Sequence, residues 1–333
     1  HAMKFATLKD GSRDGQLVVV SRDLGTAHYA TGIAHRLQQV LDDWGFLSPQ
    51  LQDLYDSLNA GRARHAFPFD PRQCLAPLPR AYQCLEGRAS LHHAERECQA
   101  RGAGLPEAQR RTPLLHQAAS DGCAGPCDDI VAPSEAMGID FGAGLAVVTG
   151  DVLRGSTPAQ ALDGVRLVML ANTVALRSLE PLERERGQGP LQSRPATAFS
   201  PVAVTLDELG AAWEPGRVQL TLQTTWNGRK VGLCDAGEGM DFHFGQLIAQ
   251  ACQTRHLRAG SIVCSGPVGQ KDGTKGYASI AEKRCLEMLQ DGRPATGTLQ
   301  AGDTVRIEMK GRDGLSLFGA IDQTVAVLAE SLE

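Results

Sequence analysis

One stretch near the middle of the chain carries the clearest signal of its fold: Gly138-Ile139-Asp140-Phe141-Gly142-Ala143-Gly144-Leu145-Ala146-Val147-Val148. Its second half is an apolar run, which predicts a buried strand. Two further runs, Val165 to Val174 and Val218 to Trp226, also predict strands, and Asn227-Gly228 after the second is typical of a two-residue hairpin. From about residue 130 onward, the sequence therefore predicts a β-rich core.

The part of the chain before this core has a different pattern. Gln16 to Val20 predicts a strand, and the apolar spacing from Ile33 to Leu41 predicts a helix. Ser48-Pro49 is a typical start for a second helix, and four prolines between Phe67 and Arg80 predict an extended linker. We therefore expect a mixed α/β protein with a small N-terminal α+β domain at 1–75, in which 1–3 read as a vector scar, and a β-rich domain at 76–333.

Composition and charge exclude several classes of protein. The chain has 333 residues, is 42% hydrophobic and 21% charged, and carries a formal net charge of −5. It has no basic cluster that would bind nucleic acid and no apolar stretch approaching the ~20 residues that cross a bilayer. Nine cysteines without a recognisable export signal favour reduced thiols. These features predict a cytoplasmic protein with no nucleic-acid or membrane partner.

Several segments, taken in order, resemble the fumarylacetoacetate hydrolase superfamily. The similarity covers roughly residues 75 to 325, and the leading part resembles the small first domain of the longer members. The resemblance implies a rolled β-sheet catalytic domain, usually in a homodimer, that cleaves or rearranges small oxo-acids with the help of a divalent cation. The segments that carry it are Leu75 to Arg80, Gly138 to Phe141, Leu145 to Val148, Asn172 with Arg177, Gln192 to Thr197, Phe242 to Phe244, Ala259 to Val263, Ala281 to Arg284 and Gly302 to Val305.

The residues that would hold the family's cation are substituted in this chain. The family places two glutamates at i and i+2 on the central strand, where period-two alternation turns both to one face. Gly142 and Gly144 occupy these positions, and Thr173 replaces the aspartate that follows Asn172. The upstream segment Thr112 to His116 also lacks the expected acid. The sequence predicts no bound metal, with magnesium, calcium or manganese expected only if other residues supply ligands.

The remaining polar residues define a candidate site. Arg177 and Arg194 are expected as uncompensated cations that would bind a small anionic molecule through their planar forks. The resemblance adds Gln192, Ser265 and Gly266 as substrate contacts. Candidate catalytic groups are Glu282 as a general base, His116, and Asp140 on the face of Gly142; His92 and His93 remain open as alternatives.

Three functions agree with this pattern. The first is an enzyme with metal-independent C–C cleavage, lyase, cyclase or isomerase chemistry on a small oxo-acid or biosynthetic intermediate. The second is an inactive binding protein that keeps the pocket or the dimer surface, and the third is a conventional metal-dependent hydrolase with relocated ligands. A well-formed pocket with convergent polar groups would favour the first function.

Overall fold

The computed structural model describes residues 1–328. The strands are β1 Lys4–Leu8, β2 Gln16–Val20, β3 Thr26–Tyr29, β4 Phe67–Pro68, β5 Gln83–Gly87, β6 Leu115–Ala118, β7 Ile130–Ala132, β8 Ile139–Asp140, β9 Ala143–Thr149, β10 Val165–Asn172, β11 Ala175–Leu176, β12 Ala198–Phe199, β13 Ala203–Val204, β14 Trp213–Glu214, β15 Arg217–Val218, β16 Thr221–Trp226, β17 Arg229–Asp235, β18 Ser261–Cys264, β19 Thr304–Met309 and β20 Ile321–Val327. The helices are α1 Leu37–Asp42, α2 Trp44–Asn59, α3 Leu91–Ala100, α4 Glu107–Arg111, α5 Pro158–Leu162, α6 Glu180–Glu185, α7 Leu206–Leu209, α8 Phe244–Ala251 and α9 Ile280–Asp291.

An eleven-stranded sheet forms the central layer of the molecule, and β9 and β10 lie within it. Its strand order is β4-β3-β2-β1-β13-β10-β9-β18-β5-β6, with β12 also paired to β10. The prediction of a buried central strand is confirmed, because every residue of β9 is buried. Leu145 and Val147 pack on one side of the sheet and Ala146 and Val148 on the other. Both faces of the strand are covered, which is why its sequence is continuously apolar.

Different layers cover the two faces of this sheet. A five-stranded sheet of order β17-β16-β19-β20-β7 packs on one face, and Phe141 meets Trp226 there with ring centroids 6.2 Å apart. Helices α1 and α2 cover the other face. The predicted hairpin between β16 and β17 is confirmed: Asn227 and Gly228 have φ of 50° and 76°, as a primed turn requires. The mixed α/β fold is thus as predicted.

The first residues of the chain extend the large sheet. Lys4 and Phe5 of β1 pair with Val204 and Ala203 of β13. The predicted start of the second helix at Ser48-Pro49 is wrong, because α2 begins at Trp44 and contains Pro49. The indole of Trp44 packs edge-on against Phe5, so a tertiary contact accompanies the earlier start. The stretch 86–129 is partly helical, through α3 and α4.

Three features of this fold surround one cavity. They are the β5–β6 edge of the large sheet, the turn that follows β18, and α3, which begins shortly after β5. All nine cysteines are free thiols. Within residues 1–328 no helix combines the length and apolarity needed to cross a membrane.

Candidate active site

The cavity has a volume of about 260 Å³ and brings together many of the ionisable residues near the β5–β6 edge. Its polar wall comes from the end of β5, from β6, from α3 and from two arginines that follow β10 and α6. Its remaining surface combines leucine and proline side chains and glycine backbone with the polar residues Arg88, Ser90, Thr173 and Ser265. The lining residues are Glu86, Gly87, Arg88, Ser90, His93, Glu97, Leu114, Leu115, His116, Thr173, Arg177, Gly189, Pro190, Arg194, Ser265, Gly266 and Pro267.

His116 and Glu86 form a carboxylate–imidazole pair in this wall. They are directly opposite each other on the antiparallel strands β5 and β6, so the sheet register brings their side chains together. His116 Nε2 lies 2.9 Å from Glu86 Oε2. Burial opposes ionisation of Glu86, but Arg194 and His116 lower the pKa of its carboxyl below the ordinary value. Glu86 is therefore an anion that orients the His116 ring.

A second imidazole, His93, lies on α3 one turn before Glu97. His93 Nδ1 is 3.4 Å from Glu97 Oε1, and His93 Nε2 is 3.0 Å from Ser279 Oγ. Burial lowers the pKa of His93, so this ring is neutral near pH 7. Burial would raise the pKa of Glu97, but His93 and Arg88 lower it. Both ring nitrogens of His93 therefore have neighbours within the protein.

The two predicted arginines lie in the pocket, but the expectation that they are uncompensated is wrong. Arg177 Nε donates to Asp140 Oδ2 at 2.9 Å. Glu180 Oε1 accepts from Arg177 Nη1 at 2.7 Å and from Arg194 Nη1 at 2.8 Å. Arg194 Nε also lies 3.3 Å from Glu86 Oε2. Burial would raise the pKa of Glu180, but Arg177 and Arg194 bring it down to about 2.

These contacts make a rigid pair of arginines. One carboxylate oxygen of Glu180 binds both guanidinium groups, which keeps them close together. Within residues 1–328, neither Arg177 Nη2 nor Arg194 Nη2 has a hydrogen-bond partner. Each anchored arginine thus keeps a donor for a ligand in the cavity that it lines.

Asp140, a predicted catalytic residue, is completely buried and does not line the cavity. Its oxygens accept from the backbone N–H groups of Ile280 and Ala281, at 2.8 and 2.9 Å, as well as from Arg177. A carboxylate at this place stabilises the N-terminus of α9 and fixes Arg177. Its position therefore suits anchoring and prevents contact with a ligand in the cavity.

Glu282, the predicted general base, lies behind the cavity wall. It is 1% exposed, and Arg96 Nη1 is 3.5 Å from its Oε1. Neither carboxylate oxygen has a hydrogen-bond partner within the described residues. Burial raises the pKa of Glu282 to about 7, although Arg96 acts in the opposite direction. Glu282 thus carries a perturbed carboxyl, but it does not line the cavity.

The predicted substrate contacts divide into two groups. Ser265 and Gly266 line the cavity, and Ser265 Oγ accepts from Leu145 N at 3.1 Å and donates to Gly266 O at 2.7 Å. Gln192 is exposed and lies outside the cavity, contrary to expectation. Its backbone N–H donates to Glu183 Oε2 at 2.9 Å, while its neighbours Pro190 and Arg194 line the cavity.

Gly142, just before β9, and Gly144, within it, lie behind the turn that follows β18, where there is no room for a side chain. A Cβ at Gly144 would lie 2.8 Å from Ser265 Oγ and even closer to Gly266 O. A Cβ at Gly142 would lie 2.7 Å from Thr173 O and 3.0 Å from Pro267 Cγ. The space that two carboxylates would need is filled by backbone and side-chain atoms of Thr173 and of the turn Ser265–Pro267.

The donor set around these glycines does not suit a divalent cation. Hard cations require several oxygen ligands, and Gly142, Gly144 and Thr173 offer no carboxylate. Across residues 1–328, no three His, Cys, Asp or Glu side chains are grouped as metal ligands. An upstream acid does reach the cavity, but it is Glu86 on β5, outside the Thr112 to His116 segment in which it was sought. Its Oε2 contacts His116 and Arg194.

Sequence reasoning missed part of the site, although signals for it were present. Glu86 is a charged residue in the otherwise apolar strand segment Cys84 to Gly87. His93 and Glu97 have the i, i+4 spacing that places two side chains on one helix face. The roles of Arg88 and Glu180 had no local signal, because their partners are set by tertiary packing.

Two family models match the chain. One, described as fumarylacetoacetase N-terminal domain 2, matches residues 3–80, and the other, described as fumarylacetoacetate hydrolase C-terminal, matches residues 84–326. No curated protein matches the chain.

Solved structures similar to the chain cover nearly its whole length. Fumarylacetoacetate hydrolase from Exiguobacterium antarcticum is 19% identical, with a TM-score of 0.61, over 98% of this chain and 100% of that one. Maleylpyruvate hydrolase from Sphingobium sp. SYK-6 is 14% identical, with a TM-score of 0.66 and the same coverage. 2-Hydroxyhepta-2,4-diene-1,7-dioate isomerase from Mycobacterium marinum is 17% identical, with a TM-score of 0.62, again over 98% and 100%. At these identities the likeness shows the fold alone.

Proposed function

The chain belongs to the fumarylacetoacetate hydrolase family, and within that family we propose that it is a metal-independent acid–base enzyme acting on a small anionic oxo-acid. The observation that carries this proposal is the His116–Glu86 pair in the cavity wall, with 2.9 Å between His116 Nε2 and Glu86 Oε2. The solved hydrolases and isomerase with this fold support a carbonyl compound as the class of substrate.

The His116 ring has the arrangement that a general base needs. When Nε2–H donates to an ionised Glu86, the other nitrogen, Nδ1, carries the free lone pair. Within residues 1–328, Nδ1 has no hydrogen-bond partner. The orienting carboxylate also stabilises the imidazolium that forms when Nδ1 takes a proton. His116 would therefore abstract a proton from the carbon beside the substrate's carbonyl.

The arginines would complete the reaction. Arg177 and Arg194 each keep an unpartnered Nη2 in a wall of the same cavity, and Glu180 fixes their positions. Donors held in place before the reaction stabilise the negative charge that develops on an enolate oxygen. We place no step on a cation, since the residues at 142, 144 and 173 do not fit one. Isomerisation proceeds from such an enolate by reprotonation at another carbon, cyclisation proceeds by its attack on an electrophilic carbon of the same molecule, and C–C cleavage releases the enolate as its leaving group.

A pocket with convergent polar groups supports an enzyme over a protein that only binds. His93 and Glu97 form a second imidazole–carboxylate pair in the same wall, and their contacts with each other and with Ser279 hold that wall in place. Glu282, initially predicted as the base, is behind the wall, and Asp140 serves Arg177. His116 is thus the member of the predicted catalytic set that is best placed to meet a substrate.

Proton exchange tests this function directly. We expect chelator-treated protein to exchange the C3 protons of 2-oxobutanoate for deuterium, followed by proton NMR in D₂O, with no stimulation by Mg²⁺ or Mn²⁺. His116→Asn should slow the exchange by about 100-fold, the usual contribution of a general base. Exchange that requires added metal would support relocated ligands instead. Binding of the oxo-acid without exchange would support the non-catalytic alternative.

A further inference from the structure

The charges around the cavity are largely balanced before any substrate binds. Three arginines face it: Arg88, Arg177 and Arg194. Four carboxylates lie within ion-pair distance of them, namely Glu97 at 3.4 Å from Arg88, Asp140 and Glu180 on Arg177, and Glu86 at 3.3 Å from Arg194. With neutral imidazoles, this set has one more negative than positive charge. The cavity therefore has little capacity to neutralise a strongly charged ligand.

Two of these carboxylates would meet the ligand itself. Glu86 and Glu97 line the cavity, whereas Asp140 and Glu180 lie behind the arginines that they anchor. Glu86 is 6% exposed and contacts both His116 and Arg194 through Oε2. A ligand carboxylate near Arg194 must therefore share that cation with Glu86. A second ligand carboxylate would meet Glu86 or Glu97 at close range, and like charges in a partly buried site repel.

The rest of the lining favours an apolar substrate body. Leu114, Leu115, Pro190 and Pro267 contribute side chains without hydrogen-bonding groups. Gly87, Gly189 and Gly266 add backbone to the wall without a side chain. A volume of about 260 Å³ suits a molecule of small size. Polar recognition is thus concentrated at the arginine side.

We propose that this pocket selects oxo-acids with a single carboxylate and an apolar body over dicarboxylates, and that Glu86 sets this selectivity. The inference rests on the proposed function, which makes the cavity an oxo-acid site. Selectivity of this kind uses a repulsive group against the wrong ligand as well as attraction to the right one. Arg177 and Arg194 supply the attraction, and Glu86 supplies the repulsion.

Calorimetric binding of two probes tests the selectivity. 4-Methyl-2-oxopentanoate carries one charge and a branched apolar body, and 2-oxoglutarate carries two charges in a chain of similar length. We expect the wild-type protein to bind the first at least about tenfold more tightly. In Glu86→Gln, which keeps the shape but removes the charge, the ratio of the two dissociation constants should fall to about threefold or less. Glu107→Gln removes an exposed charge and should keep the wild-type ratio.

The possible outcomes distinguish failure of the selectivity from failure of the proposed catalysis. Wild-type protein that binds 2-oxoglutarate as tightly as the monoanion overturns the selectivity, whether or not the variant folds. A folded Glu86→Gln, verified by circular dichroism, with an unchanged ratio overturns the role of Glu86. Preference for the monoanion without deuterium exchange on 2-oxobutanoate removes the proposed catalysis and leaves the selectivity standing. Binding of neither probe removes both.

Discussion

Two walls of the same pocket differ in whether the packing leaves room for side chains. In the glycine wall the turn Ser265–Pro267 lines the cavity, and Gly142 and Gly144 lie behind this turn, so closely packed that no side chain fits between strand and turn. The ionic wall, made of Glu86, Arg88, His93, Glu97 and His116, carries five ionisable side chains on β5, β6 and α3. One side of the cavity therefore lacks carboxylate donors for a cation, while the other side carries acid–base groups.

The largest expected effect comes from adding a carboxylate to the glycine wall. Gly144→Glu should lower the free energy of unfolding by more than about 4 kcal/mol, because its Cβ would overlap the backbone oxygen of Gly266, which cannot rotate away. Urea denaturation measures this, and magnesium titration should show no stoichiometric binding. Gly122→Glu, where a Cβ meets nothing within 4 Å, is the matched control. A stable variant that binds magnesium would contradict the idea of a closed wall.

Replacing the half-buried Arg177 should have the next largest effect. Arg177→Ala leaves the fully buried Asp140 without its cation, while Glu180 keeps Arg194, and we expect a loss of about 3 kcal/mol in stability. Arg194→Ala should cost less, because Glu180 keeps Arg177 as a partner. Binding of 4-methyl-2-oxopentanoate should be abolished in both variants. Unchanged affinity in the two folded variants would argue against an arginine platform.

The smallest expected effect concerns pH and the carboxyl behind the ionic wall. Glu282 has a pKa of about 7 in the folded protein against an ordinary value of 4.5, so the folded state holds the proton more tightly. Stability contributed by this group therefore falls as the pH rises from about 4.5 to about 7. Glu282→Gln removes the titration and should be more stable than wild type by about 2 kcal/mol at pH 8, and similar to it at pH 4.

Urea unfolding at the two pH values measures the difference. Glu185→Gln, an exposed carboxylate on α6, serves as the control and should behave like wild type at both. A stability difference for Glu282→Gln that does not change with pH would show that the carboxyl keeps one protonation state across this range.

Local patterns in the sequence predicted much of the scaffold. The apolar run of β9 and the Asn227-Gly228 turn each depend on neighbouring residues, and both were predicted correctly. The start of α2 was not, because the packing of Trp44 on Phe5 joins residues far apart in the chain. The absence of carboxylates at 142 and 144 could also be read directly from the sequence, since it depends only on which residues occupy these positions.

The sequence by itself determined the family, the mixed α/β fold, and the presence of glycine or threonine at 142, 144 and 173, where the resemblance implies carboxylates. Only the tertiary structure decided that Arg177 and Arg194 are already paired, that Glu86 belongs to the pocket, and that Gln192 lies outside it. The physical reason is the range of the interactions. Strand and turn signals are local, whereas an ion pair such as Glu86–Arg194 joins separate segments that meet only when the chain is folded.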